Sequence, residues 1–281
     1  MGLQEILLVA AALLPAIVLC IYTFKKDRVE KEPIGLLLRL FLFGALSVFP
    51  AALIESGVID GIDAMFRQSF ITMPDGSVEM NTGTFYVYNF IKYFIGVALV
   101  EEGVKFCVLV WVTKKTKEFN SLFDGLIYAI FVSLGFAALE NVFYVLDYGW
   151  INAIQRAILS VPGHMFFSVL MGYYYSEWHI TQKAKAMEQQ LKQDGYIKKS
   201  APEFSVARSR VLCFLMPILA HGFYDYCCTL GDTWSMSMFY IFIAFLYWYC
   251  FKKIRLMSRA DTRDTSFAKV MVMRKYPSLF Q

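Results

Sequence analysis

The chain has 281 residues, of which 58% are apolar, 17% aromatic and 18% charged, with a formal net charge of +4 and a mean hydropathy of +0.49. Soluble domains carry about a quarter charged residues, so this composition excludes an ordinary soluble enzyme. Nothing in the chain points to nucleic acid. The six cysteines (20, 107, 213, 227, 228 and 250) all lie in apolar stretches with no CxxC pair, which argues against a disulfide framework and a thiolate metal site.

A membrane crossing needs roughly 20 mostly apolar residues to traverse about 30 Å of hydrocarbon. Seven stretches qualify, at about 3–24, 34–56, 85–112, 122–146, 151–176, 211–231 and 236–251. The chain reads as an all-α polytopic transmembrane helical bundle of about seven spans. The first stretch lacks a basic leader and a small-residue cleavage site, so it reads as an anchor. Met1-Gly2 opens like a myristoylation signal, but Ile6 breaks that pattern. The connection 57–84 carries Asp60, Asp63, Asp75 and Glu79. The fifth span is interrupted by Pro162-Gly163, where a kink is expected. Residues 177–210 mix Lys, Gln, Glu and Ala, as a helix on the membrane surface or a solvated linker would. The last span is short, with Trp248 to Phe251 at its interfacial end.

Lys and Arg set the orientation. They cluster in 25–33, 113–120, 177–210 and 252–281, and these stretches hold 22 of the 27. All four fall on one side of a seven-span chain, which places the N-terminus outside and the basic tail 252–281 in the cytoplasm. No internal repeat is visible, so residues 1–281 read as a single integral membrane domain.

Ionisable residues inside lipid-buried segments are costly and read as functional by default. The third span holds Glu101-Glu102-x-x-Lys105, in which the lysine lies one turn from both glutamates. One glutamate pairs with it, and the other is free for a second task. The fourth span holds Phe136-x-x-x-Glu140-Asn141, with Gly135, Ala137 and Ala138 allowing another helix close. The fifth holds Arg156, which would cap the span or stabilise an anion, and His164 just after the Pro-Gly pair. The sixth holds His221-x-x-x-Asp225, where a carboxylate one turn away orients the imidazole. At about 1.5 Å per residue these groups fall some 10–20 Å below the outer surface, in one layer. A shared layer favours one water-holding site lined by spans three to six.

These four motifs, in this order on successive spans, resemble the PrsW family of bacterial intramembrane proteases. LFDGLIYAIFVSLGFAALEN, RAILSVPGHMFFSVLMGYYYS and ILAHGFYD extend the likeness, so that 85–230 is the motif-bearing core. The resemblance implies an intramembrane endopeptidase of the bacterial cytoplasmic membrane that cuts a membrane-spanning substrate, with the first cut of a single-pass anti-sigma factor as the family's best-known role. The related CAAX prenyl proteases and bacteriocin-immunity proteins carry EExxxR, FxxxH and HxxxN. Here Lys105 stands one residue before the motif arginine, Glu140 replaces the histidine and Asp225 the asparagine. Those departures favour the PrsW branch, and His164 is the residue available for the missing imidazole's part.

Two mechanisms fit. In one, His164, His221 and a carboxylate such as Glu140 hold a divalent metal, zinc by chemistry, and a remaining glutamate is the base. In the other, Glu101 or Glu102 activates water without metal, and His221 with Asp225 stabilises the oxyanion. By resemblance to the EExxxR enzymes, Glu101 is the expected base. The rival readings are a proton-coupled transporter, for which the missing repeats count against it, a CAAX-type prenyl-protein protease, and a catalytically dead scaffold.

Overall fold

The computed structural model describes residues 2–75, 77–197 and 206–279. Part of the 177–210 connection, residues 198–205, lies outside the described residues. The elements are α1 (Leu3–Lys26), α2 (Ile34–Leu46), α3 (Val48–Phe66), β1 (Phe70–Thr72), β2 (Val78–Met80), α4 (Thr82–Ile91), a π-helical segment (Lys92–Ala98), α5 (Leu99–Thr113), α6 (Asp124–Ile158), α7 (Ser160–Gln193), α8 (Val206–Leu230), α9 (Thr233–Arg259) and α10 (Asp264–Lys275). Apart from the small β1–β2 hairpin, registered Phe70 opposite Met80, the protein is helical, as an all-α polytopic membrane protein must be. Five helical stretches among the described residues are long and apolar enough to cross a membrane: 3–26, 34–69, 124–193, 206–230 and 233–259.

The centre of the bundle is α6. Residues 124–138 are buried on every side, the pattern of a helix apolar all round. Its neighbours approach through glycines. A Cβ on Gly44 of α2 would lie 2.0 Å from the Val132 carbonyl oxygen, and one on Gly135 would lie 2.0 Å from that of Phe41. The α6–α7 crossing is built likewise, since a Cβ on Gly172 would come within 2.7 Å of the Gly125 carbonyl. Small residues let backbones pack where lipid supplies no hydrophobic drive. By contrast, Leu7, Leu14 and Ile21 of α1 and Ile241, Phe245 and Trp248 of α9 are exposed, which is the surface a lipid-facing helix presents.

Several boundaries differ from the sequence expectation. One break lies at Gly149, whose φ of 73° interrupts α6, and the expected fifth span is itself broken at Leu159, between α6 and α7, shortly before Pro162 rather than at it. Pro162 instead falls in the first turn of α7, where a missing N–H removes no helical bond. α7 then continues unbroken to Gln193, so 177–193 prolongs a membrane helix instead of forming a separate surface helix. Much of the expected 57–84 connection is also helical, because α3 runs on to Phe66. α9 extends to Arg259, well past the expected end at 251. α10 explains that extension: its Ala268 and Val272 pack on Ile180 and Ala184 of α7, while Asp264 pairs with His179 and Lys183.

The basic ends of the helices are tied together by carboxylates. Asp261 accepts from the Phe123 N–H at 2.9 Å, Asp27 from the Glu32 N–H at 2.9 Å, and Glu32 from the Tyr128 hydroxyl at 2.6 Å. Burial pushes the Glu32 carboxyl up to about 9 and that of Asp27 up to about 6.

Candidate active site and metal centre

The site is assembled from α5, α6, α7 and α8. On α5, Lys105 Nζ donates to Glu101 Oε2 at 2.9 Å, one turn plus a residue away, and to Glu102 Oε1 at 2.8 Å. All three side chains are buried. The π-helical segment just before them carries Phe94, which fills the space a Cβ on Gly222 of α8 would need, 2.6 Å away. That contact draws α8 against the rod bearing the glutamates. Such π turns recur at functional sites because one inserted residue resets the phase of everything that follows.

His164 sits in the early turns of α7, and its carbonyl accepts from Ser133 Oγ at 2.8 Å. Its Nδ1 is 3.1 Å from Lys105 Nζ, and its Nε2 is 3.1 Å from Glu140 Oε2. An ammonium only donates, so Nδ1 accepts and the Nε2 proton goes to Glu140. His221 has the matching arrangement: Nδ1 is 3.0 Å from Glu102 Oε1 and Nε2 is 3.2 Å from Asp225 Oδ2. Its ring stacks on Phe167 at 4.7 Å with a 17° interplanar angle. Both Nδ1 atoms lie 4.0 Å from Glu101 Oε2.

The supporting residues complete the outer layer. Arg156 Nη2 donates to Glu140 Oε2 at 2.7 Å and its Nε to Asn141 Oδ1 at 2.9 Å, with the guanidinium over the Tyr144 ring at 3.8 Å. Asn141 in turn donates to the Ala12 carbonyl at 3.0 Å. Arg156 is thus ion-paired with Glu140.

Glu101, Glu102, His164 and His221 each offer a donor atom, and the four lie within 4.8 Å of one another. Two imidazole nitrogens and two carboxylate oxygens, buried and convergent, are a donor set suited to zinc. Two further observations fit a metal ion. Glu102 Oε2 is buried with no hydrogen-bond partner. Each imidazole also turns its far nitrogen to a carboxylate, the arrangement that fixes the tautomer of metal-bound histidines. The set differs from the expected one in its carboxylates, with Glu101 and Glu102 in place of Glu140. Glu140 is not among the four convergent donors; it lies on the far side of the His164 ring, engaged by Arg156.

The group opens on a cavity of about 690 Å³ lined by Glu101, Glu140, Arg156, His164, His221 and Asp225 among aromatic side chains such as Phe136, Tyr144 and Tyr224. Glu102 is not on its wall. One further carboxyl is, Glu55 of α3, with Oε1 buried and unpartnered. The sequence reading passed over it, although it lies inside the apolar stretch 34–56, where the rule that flagged the other acids applies equally.

The comparisons with known proteins agree with this geometry. The sequence model of the family described as PrsW family intramembrane metalloprotease matches residues 32–251. The chain is 32% identical to Protease PrsW of Geobacillus kaustophilus over 251 residues, covering 88% of this chain and 91% of that protein. It is 33% identical to Protease PrsW of Oceanobacillus iheyensis over 219 residues (78% and 81%), and 29% identical to that of Bacillus subtilis over 252 residues (88% and 94%). No solved structure matches. Between the peptidase and transporter readings, this match selects the peptidase. A buried His/Glu donor group in a multi-pass helical bundle, together with a family match over most of the length, makes the chain a protease belonging to the PrsW family of intramembrane metalloproteases.

Proposed function

We propose that this protease is an endopeptidase that cuts a single-pass membrane protein, by hydrolysis inside the 690 Å³ cavity. The observation that carries the reading is the convergence of Glu101, Glu102, His164 and His221 beside a cavity among apolar helices, with Glu101, His164 and His221 on its wall. The proposed topology is seven spans, counting 82–113 as one and the two parts of 124–193 as two. It places the N-terminus outside and the basic tail in the cytoplasm of a bacterial plasma membrane, following the Lys/Arg distribution. The proposed domain is the whole chain. An anti-sigma factor is the proposed substrate, as family membership suggests.

The two glutamates take different parts. His164, His221 and Glu102 would hold the metal ion, since Glu102 is fully buried and off the cavity wall. When bound, such an ion polarises a carbonyl and acidifies water. Glu101 faces the cavity and is the general base. It takes the proton of the attacking water, while Lys105 holds its carboxylate in place at 2.9 Å. Glu140 and Asp225 orient the two imidazoles. Arg156, over Tyr144, fixes Glu140, and Asn141 anchors Arg156 to α1.

Purified protein in liposomes, given a single-pass membrane substrate, tests the reading. Glu101→Gln is expected to lower cleavage by about 10²–10⁴-fold with metal content intact. Glu102→Gln is expected to lose the metal and, with it, activity. Wild-type cleavage by both variants would overturn the assigned site, and cleavage by metal-free protein would overturn the metal's part.

A further inference from the structure

Glu55 stands out among the carboxyls of the cavity. Lys105 pairs with Glu101, Arg156 and His164 with Glu140, and His221 with Asp225. Glu55 has no such partner among the described residues, and its Oε1 is buried. Its depth follows from packing. Ala51 of α3, Phe136 of α6 and Val104 of α5 form one apolar cluster. Glu55 and Glu140 lie four residues after Ala51 and Phe136, about 6 Å along the axis, and Glu101 lies three residues before Val104, about 4.5 Å. α3 therefore delivers a third acid to the layer of the convergent donors. The charges that act on Glu55 are those of Glu101, Glu140, Lys105 and His221.

Charge balance narrows what Glu55 does. Around this cavity, five carboxylates (55, 101, 102, 140 and 225) face two fixed cations, Lys105 and Arg156. A divalent ion offsets two of the three surplus negative charges, and a proton on one acid offsets the last. Glu55 is the acid of this group with no ion-pair partner among the described residues, so the remaining proton is assigned to it. Peptide hydrolysis needs such a group. An amine is a poor leaving group unless its nitrogen is protonated as the C–N bond breaks.

Resting on the peptidase reading above, we propose that Glu55 is a catalytic residue, the general acid that protonates the leaving nitrogen. Water adds its oxygen to the scissile carbonyl carbon and gives a proton to Glu101. The C–N bond breaks with its electron pair on nitrogen, and that nitrogen takes the Glu55 proton. Cavity water then returns the proton on Glu101 to Glu55, so the net change is amide plus water to acid plus amine.

The test is kinetic and uses the full chain in liposomes. The probe is a fluorogenic single-pass peptide whose cut bond has first been mapped by mass spectrometry. A second version carries an ester in place of that amide, because an alkoxide leaves with far less help. Glu55→Gln is expected to lower kcat on the amide by about 10²-fold with KM and metal content unchanged, and to lose much less on the ester. It is also expected to remove the alkaline limb of the pH profile. Glu55→Asp, which keeps an acid one methylene shorter, is expected to retain that limb with a reduced kcat, and it serves if the Gln variant does not fold. Equal losses on amide and ester, a change in KM alone, or a wild-type profile would each overturn the proposal. Glu101→Gln, run alongside, must lose about 10²–10⁴-fold on both probes. If it cuts at the wild-type rate, the fault lies in the site reading rather than in Glu55.

Discussion

Replacing Lys105 with methionine is the perturbation that bears most directly on how the site is held together. The ammonium contacts Glu101 Oε2 at 2.9 Å, Glu102 Oε1 at 2.8 Å and His164 Nδ1 at 3.1 Å, and stands 4.1 Å from the Phe136 ring centroid. It therefore contacts three of the four convergent donors. Removing one partner of a buried charge pair costs about 3–5 kcal/mol, because the remaining charge is stranded. Here two glutamates lose their common counter-ion. The methionine restores part of the apolar packing on Phe136 but none of the charge. On a chain of this size a loss of that order lowers the apparent Tm by on the order of 10 °C. Zinc binding to the same carboxylates supplies the missing positive charge, so the ion should stabilise Lys105→Met more than the wild type, whose glutamates already share a counter-ion. The assay is thermal unfolding of chelator-treated protein in detergent, with and without zinc, alongside metal analysis. A variant that keeps the wild-type Tm without metal, or an equal zinc shift in both proteins, would refute the reasoning.

The other expectations concern the surroundings. Asp225→Asn removes the carboxylate 3.2 Å from His221 Nε2; chelator competition should show metal affinity reduced about 10–100-fold, and an unchanged affinity would deny Asp225 its orienting part. Gly135→Ala puts a methyl group 2.0 Å from the Phe41 carbonyl oxygen, so folded yield should collapse. Gly35→Ala, with nothing within 4 Å, should leave yield at the wild-type level. Glu32 lies between α1 and α2, where burial pushes its carboxyl up to about 9, reinforced by the nearby Asp124 charge and opposed by the Tyr128 hydrogen bond. A raised folded value means that stability is fully present below the ordinary value of 4.5 and is lost as pH climbs towards 9. Wild-type Tm should fall across that window, and the Glu32→Gln curve should be flatter; parallel curves would show that Glu32 does not titrate as described.

What the sequence made legible follows from the lipid environment. Apolar length located the membrane helices, and the rarity of charge inside them singled out Glu101, Glu102, Glu140, His164, His221 and Asp225, which the fold brings around one cavity. Helical spacing put Lys105 within reach of both glutamates, since residues three and four apart meet, but it pairs with both where one was expected to be free. Other features depended on partners that no local pattern reveals. Pro162 promised a kink because proline breaks a helix interior, yet the helix starts at Ser160 and the proline falls where it is harmless. α9 overran its apolar stretch because its basic end turns into α10, which docks on α7. The π-helical segment 92–98 carries no special composition; its reason is the fit of Phe94 against Gly222. Which imidazole nitrogen meets which carboxylate is likewise a matter of crossing helices. That is why Glu140 read as a metal ligand from its motif and emerged on the far side of the ring.

The adjacency of Glu101 and Glu102 gains a reason from these placements. Successive residues on an α-helix point about 100° apart, so a neighbouring pair cannot both face the cavity. Glu102 turns inward to His221 and is fully buried, whereas Glu101 stands on the cavity wall. In the roles proposed above, the ligand takes the buried position and the base takes the one in contact with water. Two acids in succession meet both demands from a single turn of helix. Lys105, within reach of each, holds them in register at 2.9 and 2.8 Å. A slip of one residue in α5 would hand one of the two positions to Val100 or Gly103. The π turn that sets the phase of α5 is therefore as much a part of the site's chemistry as the carboxylates it positions.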